Sequence, residues 1–225
     1  MRAMTKSEDT FNFFKKKEPI FNKSEKIAKY ITILSMSPFQ IVAYMTLTAI
    51  IVPISKFPAL NIFVNIISGI FYILIPLIPL IVLGRKSRLV GAQFPREERY
   101  IVFLTIIPGY LTVIFIYSFI RTYFNLLLSP LINFTISYVI VLIIDFIITC
   151  IFKFKTSMHI SGAMCGITAM GFYLGPLILL LYLFVPIIAW ARWKIKGHTV
   201  KQLISGGING FFTTLISQFI LLLLL

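Results

Sequence analysis

The sequence predicts an all-α, polytopic transmembrane helical bundle of six to seven spans. Three observations predict it. Hydrophobic residues make up 59% of the 225-residue chain and charged residues only 12%, more apolar surface than a water-soluble domain of this size buries. The apolar residues fall in continuous runs near the ~20 residues that a bilayer-crossing helix needs, without the alternation of a membrane β-barrel. The cations are confined to short polar stretches between those runs.

In chain order, residues 1–30 are polar and basic, with Lys15, Lys16 and Lys17 interleaved with Phe11, Phe13, Phe14 and Phe21. Such a segment suits either the surface of an anionic leaflet or a disordered tail. Residues 31–225 form the transmembrane domain. The first span is expected at Ser35–Ile54 and the second at Leu60–Leu83, kinked by Pro76 and Pro79. A polar loop, Gly84–Arg99, precedes a third span at Tyr100–Ile120, interrupted by Pro108-Gly109. The fourth is expected at Leu131–Phe152. Met158–Ala191 is too long for one straight span and breaks at Gly175-Pro176, giving either two short spans or a re-entrant hairpin. The last runs from Thr199 to Leu225.

With seven spans, one face of the membrane collects every Lys and Arg except Lys56 and Arg121. The positive-inside rule makes that face cytoplasmic, together with the N-terminus. The net charge of +14 therefore reads as topology and contact with a bilayer of anionic lipid, and not as nucleic-acid binding. Carboxylates are scarce: beyond Glu98 there is only Asp145. A carboxylate–histidine metal centre is not expected in the C-terminal half, nor is any other cofactor. Cys150 and Cys165 lie in apolar context and read as small core residues. Asp145 itself is a costly carboxylate inside a span, with Thr149 and Tyr138 as nearby partners.

Two cationic stretches hold the chain's two histidines: Lys153–His159 and Arg192–Gln202. In the second, Thr199 and Gln202 have the spacing of a capping box, so a helix starts beside His198. Its free N–H groups and dipole favour an anion there and a neutral, nucleophilic imidazole. Arg192, read as part of the loop, offers a bidentate phosphate ligand. In the first stretch His159 begins another helix, with Ser157 and Lys155 beside it. Gly162/Gly166 and Gly206/Gly210 give both helices the small-residue spacing that permits close approach, which would bring His159 and His198 together. Trp190 and Trp193 suit the interfacial aromatic belt.

Arg192-x5-His198-x3-Gln202 resembles the third motif of the type 2 phosphatidic acid phosphatase superfamily, R-x5-H-x3-D, and Ser157-x-His159 resembles its second, P-S-G-H. The resemblance covers roughly residues 84–210. It implies His198 as a phosphorylated nucleophile and His159 as the general acid. It also implies Arg192, Lys155 and Ser157 as ligands of the phosphoryl oxygens, and no metal. Gln202 stands where the family has Asp, so it orients the histidine without stabilising its cation. Met158 replaces the motif glycine. The family's first motif, K-x6-R-P, is missing, and Arg96 and Arg99 are assigned to phosphate binding in its place. The expected activity is metal-independent phosphate transfer or hydrolysis on a membrane lipid phosphate or polyprenyl (pyro)phosphate. The alternative is a non-enzymatic binder or transporter of anionic lipid on the same fold.

Overall fold

A computed structural model describes residues 22–36, 40–41, 43–44, 46–47, 58–86 and 99–224. Among them every regular element is helical. Helix α1 (Lys23–Leu34) opens on a capping box: the Asn22 side chain accepts from the Glu25 N–H at 2.9 Å, and the Asn22 N–H donates to Glu25 at 3.0 Å. α1 crosses residue 30, so the polar N-terminal segment and the bundle do not part there. After it, Gln40, Ile41, Ala43, Tyr44, Thr46 and Leu47 are helical; most of the rest of the expected first span lies outside the described residues.

α2 (Pro58–Gly69) passes through a π-helical turn (Ile70–Leu74) into α3 (Ile75–Lys86). Pro76 and Pro79 lack the N–H groups that would bond the carbonyls of Tyr72 and Ile75, which accounts for irregularity where a kink was expected. α4 (Arg99–Phe124) runs straight through Pro108-Gly109, so the expected interruption is absent. A Cβ on Gly109 would lie 2.7 Å from the Ile75 side chain; the glycine is there for close helix packing, and the helix continues past the proline.

α5 (Ser129–Phe146) extends through a second π segment, Ile147–Ile151. α6 (Met158–Leu174) ends at Gly175, whose φ of 89° only glycine adopts readily. The chain then continues as a 3₁₀ segment, Pro176–Phe184, and α7 (Val185–Lys194). α8 (Val200–Leu224) completes the bundle. Among the described residues five stretches are long and apolar enough to cross a membrane: Ile62–Pro79, Arg99–Phe124, Ser129–Ile151, Pro176–Lys194 and Val200–Leu224. This is an integral-membrane architecture. α6, at about 25 Å for its length, is wedged between α5 and α8 with Ile160 to Met170 mostly buried.

The α6–α8 contact is backbone to backbone. A Cβ on Gly206 would lie 2.7 Å from the Ser157 carbonyl oxygen, and one on Gly210 would overlap Ser161. The small-residue spacing on α8 therefore does what it predicts. On α6, Gly166 faces the ring of Tyr44 instead.

Polar networks tie the same helices together. Asp145 on α5 accepts from Ser161 on α6 at 2.6 Å and from Asn209 on α8 at 2.9 Å. Thr149, expected beside Asp145, pairs with Thr156 at 3.2 Å. Nearer the opposite end, Tyr173 donates to Gln218 at 2.8 Å, and Gln218 donates to Asn133 and Ser137 at 3.1 and 2.8 Å.

Candidate functional site

The start of α4, the 152–157 loop and the 195–199 loop meet at one end of the bundle. Arg99 donates to the Thr156 carbonyl at 2.8 Å and approaches His198 Nε2 at 3.5 Å. Lys155 donates to the Gly197 carbonyl at 3.3 Å. Arg99 and the two histidine loops, which the charge count assigned to one membrane face, are thus together in space.

His198 is built from the local sequence. α7 ends in a Schellman arrangement: the Gly197 N–H bonds the Arg192 carbonyl and the Lys196 N–H bonds the Trp193 carbonyl, both at 2.9 Å. Lys196 takes the left-handed conformation at φ 55°. Two residues on, Thr199 and Gln202 form the expected capping box, Gln202 Oε1 accepting from the Thr199 N–H at 3.1 Å and Thr199 Oγ1 accepting from the Gln202 N–H at 3.4 Å. That first bond fixes which end of the amide is oxygen. The same Oε1 lies 3.2 Å from His198 Nδ1, so Nδ1 carries the proton and the Nε2 lone pair faces the guanidinium of Arg99. Gln202 orients the histidine in the way the motif reading requires.

His198 is 5% exposed. Burial, and then the charges of Arg99, Arg192, Lys155 and His159, lower its pKa from 6.5 to about 2. The ring is neutral at physiological pH.

Arg192 is not in the loop. It belongs to the last turn of α7 and is 1% exposed. Its guanidinium lies over Gly197, where a Cβ would come within 3.1 Å of Nη2; glycine at 197 makes room for it. Arg192 Nε and Nη1 are buried without a hydrogen-bond partner.

Ser157 is the N-cap of α6, fully buried, yet its hydroxyl does not cap the helix and bonds to nothing. His159 Nε2 is also buried without a partner. The backbone of Thr32 on α1 acts on the His159 ring, and Gln40 donates to the His159 carbonyl at 3.3 Å. The charges of Arg192 and Arg99 act on His159.

Of the residues singled out in the sequence, His198, His159, Gln202, Arg192, Lys155, Ser157 and Arg99 are gathered here. Arg96 lies outside the described residues. Thr32, Gln40 and Gly197 belong to the site without having been singled out. The first two are more than a hundred positions from their partner and leave no local pattern; Gly197 reads as an ordinary loop glycine. Asp145 lies close enough for its charge to act on Arg99. Among the described residues no three His, Cys, Asp or Glu side chains group as metal ligands.

Buried hydrogen-bond donors without partners are rare because each costs about 1–3 kcal/mol. Here Arg192 and Ser157 present them in the same place as three cations and a neutral imidazole. The arrangement can hold a tetrahedral oxyanion. Comparison of the chain with family models, with curated proteins and with solved structures gives no match.

Proposed function

We propose that this end of the bundle binds the phosphate of a membrane-embedded lipid phosphate or polyprenyl (pyro)phosphate and cleaves it through a phosphohistidine on His198, without a metal. The observation that carries this reading is the set of buried, unpartnered donors on Arg192 and Ser157 beside a histidine whose Nε2 lone pair is free of its positioning amide. Arg99, Arg192 and Lys155 supply the positive charge that a metal otherwise brings.

In the first step the His198 Nε2 lone pair forms a bond to phosphorus as the phosphorus–oxygen bond to the alcohol or phosphate leaving group breaks. His159 takes up a proton once the bound phosphate offsets the charges of Arg192 and Arg99, and gives it from Nε2 to the departing oxygen. Water then attacks phosphorus, the phosphorus–nitrogen bond breaks, and His159 accepts the water's proton. A long apolar groove of about 440 Å³ supports a lipid substrate. It is lined by Ile160, Met164, Trp190, Trp193, Val200 and Leu203, of which Ile160, Trp193, Val200 and Leu203 directly follow His159, Arg192, Thr199 and Gln202 in sequence. A tail lying there would leave its phosphate at the basic end. By the positive-inside rule this end faces the cytoplasm.

The test is phosphate release from lipid phosphates by the purified chain. His198→Ala is expected to abolish it, a loss of about 10⁴-fold or more, and His159→Ala to slow it by about 10²-fold or more. Wild-type rates in His198→Ala would overturn the reading. The second reading, a binder of anionic lipid that does not turn it over, is favoured by Gln202: an amide orients the imidazole and leaves its developing positive charge without a counter-ion. Gln202→Asp distinguishes the two. Activity that appears only in that variant marks a binding protein.

A further inference from the structure

The donors of the site call for an anion, but two further buried groups beside His159 call for something else. Thr32 is 1% exposed, and its hydroxyl bonds to nothing. Thr214 on α8 is left in the same state, but other helical threonines are not. Thr105, Thr112, Thr135 and Thr168 all turn their hydroxyls back onto the carbonyl four residues earlier, the usual way for a helical threonine to satisfy itself. Gln40 Oε1 is likewise buried and unpartnered. Its amide cannot be reversed. Nε2 donates to the carbonyls of Ser35 at 2.9 Å and His159 at 3.3 Å, and exchanging the two ends would set an oxygen against both carbonyls. An amide oxygen accepts and never donates, so no unprotonated phosphate oxygen can satisfy it; only an O–H or N–H can.

The backbone around these groups is held in place. Ala28 on α1 and Ala191 on α7 are fully buried, and the two helices pack closely. Thr32 lies one helical turn from Ala28, with its backbone close enough to act on the His159 ring, while Arg192 follows Ala191 directly. Helix α1 thus brings Thr32 to the same histidine whose other neighbours are the unpartnered guanidinium and hydroxyl of Arg192 and Ser157.

We propose that Thr32 and Gln40 form a hydroxyl-binding subsite next to the anion cradle, so that the favoured ligand is a phosphate with an alcohol group close by: a phosphorylated polyol headgroup, or a phosphate accompanied by an acceptor alcohol. The inference rests on the anion-binding reading above and refines its substrate class. Gln40 Oε1 accepts from the alcohol, Thr32 Oγ1 donates to it or accepts from it, and the phosphate oxygens take the donors of Arg192 and Ser157.

Titration calorimetry on the full-length chain in nanodiscs tests this, with inorganic phosphate, methyl phosphate and sn-glycerol 3-phosphate as probes. Wild type is expected to bind glycerol phosphate about fivefold more tightly than methyl phosphate, the worth of about one net hydrogen bond. Gln40→Leu should erase that preference and leave inorganic phosphate affinity within about twofold. Thr32→Val, isosteric and safe for the packing of α1, should reduce the preference in part. If the hydroxyl comes from a separate acceptor, free glycerol tightens inorganic phosphate binding in wild type and not in Gln40→Leu. Equal binding of all three probes with no glycerol effect overturns the subsite alone, as does an equal loss for all probes in Gln40→Leu, the pattern of a structural water. Absence of any phosphate binding by wild type overturns the anion reading and the subsite with it.

Discussion

The starts of α6 and α8 look alike in sequence: a cationic stretch, a hydroxyl residue, a histidine, then a long apolar helix. In space they are finished differently. At α8, Thr199 and Gln202 satisfy each other and the amide spends its oxygen a second time on His198. At α6, Ser157 occupies the N-cap position with its hydroxyl idle. One start is closed on itself and fixes a ring; the other keeps a hydroxyl in reserve. The difference teaches that the two histidine loops are not redundant copies of a topology signal. On the proposed reading, the closed one positions the reacting group and the open one receives what it reacts with.

Acid should strain the closed start most. His198 has its pKa lowered from 6.5 to about 2 by burial and by the surrounding cations. An unfolded chain therefore binds a proton that the folded site refuses. The sign follows: this contribution to stability is complete above about 6.5 and is lost as pH falls toward 2. Melting followed by tryptophan fluorescence should show Tm falling between pH 7.5 and 5, less steeply with phosphate bound and less steeply in His198→Asn. An identical slope in that variant would show that His198 is not the strained group.

The next effect separates the two starts. Ser157→Ala removes a hydroxyl that caps nothing, so Tm should hold while phosphate affinity falls about tenfold, the low end for a hydrogen bond to a charged group. Thr199→Ala should do the reverse. It loses a capping bond, at about 1 kcal/mol of stability, and leaves affinity within about twofold. If the two variants behave alike, the contrast between an open and a closed start fails. The smallest effect tests the Schellman turn that carries the chain from Arg192 to His198. Lys196 holds a left-handed conformation that costs a side-chain-bearing residue about 1 kcal/mol. Lys196→Gly should therefore raise stability by up to about that amount, measured by chemical denaturation, without changing phosphate affinity.

What could be read from the sequence was whatever is local or periodic. The capping box needs only Thr199 and Gln202 three residues apart. The α8 contact surface needs only glycines four apart, and the break at Gly175 needs one dipeptide. The interruption expected at Pro108 was misplaced because a proline's cost to a helix can be outweighed by packing, here of Gly109 against Ile75. Arg192 was placed in a loop because nothing in Trp-Ala-Arg-Trp-Lys marks where α7 ends; its end is set by the Schellman bonds. Thr32 and Gln40 were out of reach for a different reason. Gln40 meets His159 across 119 positions, and no spacing rule operates over that distance. The partners of Asp145 were missed on the same account, since Thr149 is near in the chain but Ser161 and Asn209 are the side chains that face it.

Asp145 also has a bearing on how the protein is made. It enters the bilayer on α5, 64 positions ahead of Asn209 on α8. Until α8 has been synthesised and inserted, the carboxylate lacks one of the partners that make its burial tolerable. The same late helix carries Gln202 and brings the backbone of Gly206 to Ser157. The seat of His198 and the full set of partners for Asp145 are therefore completed by one helix. A chain stalled before α8 leaves the carboxylate with Ser161 and without Asn209.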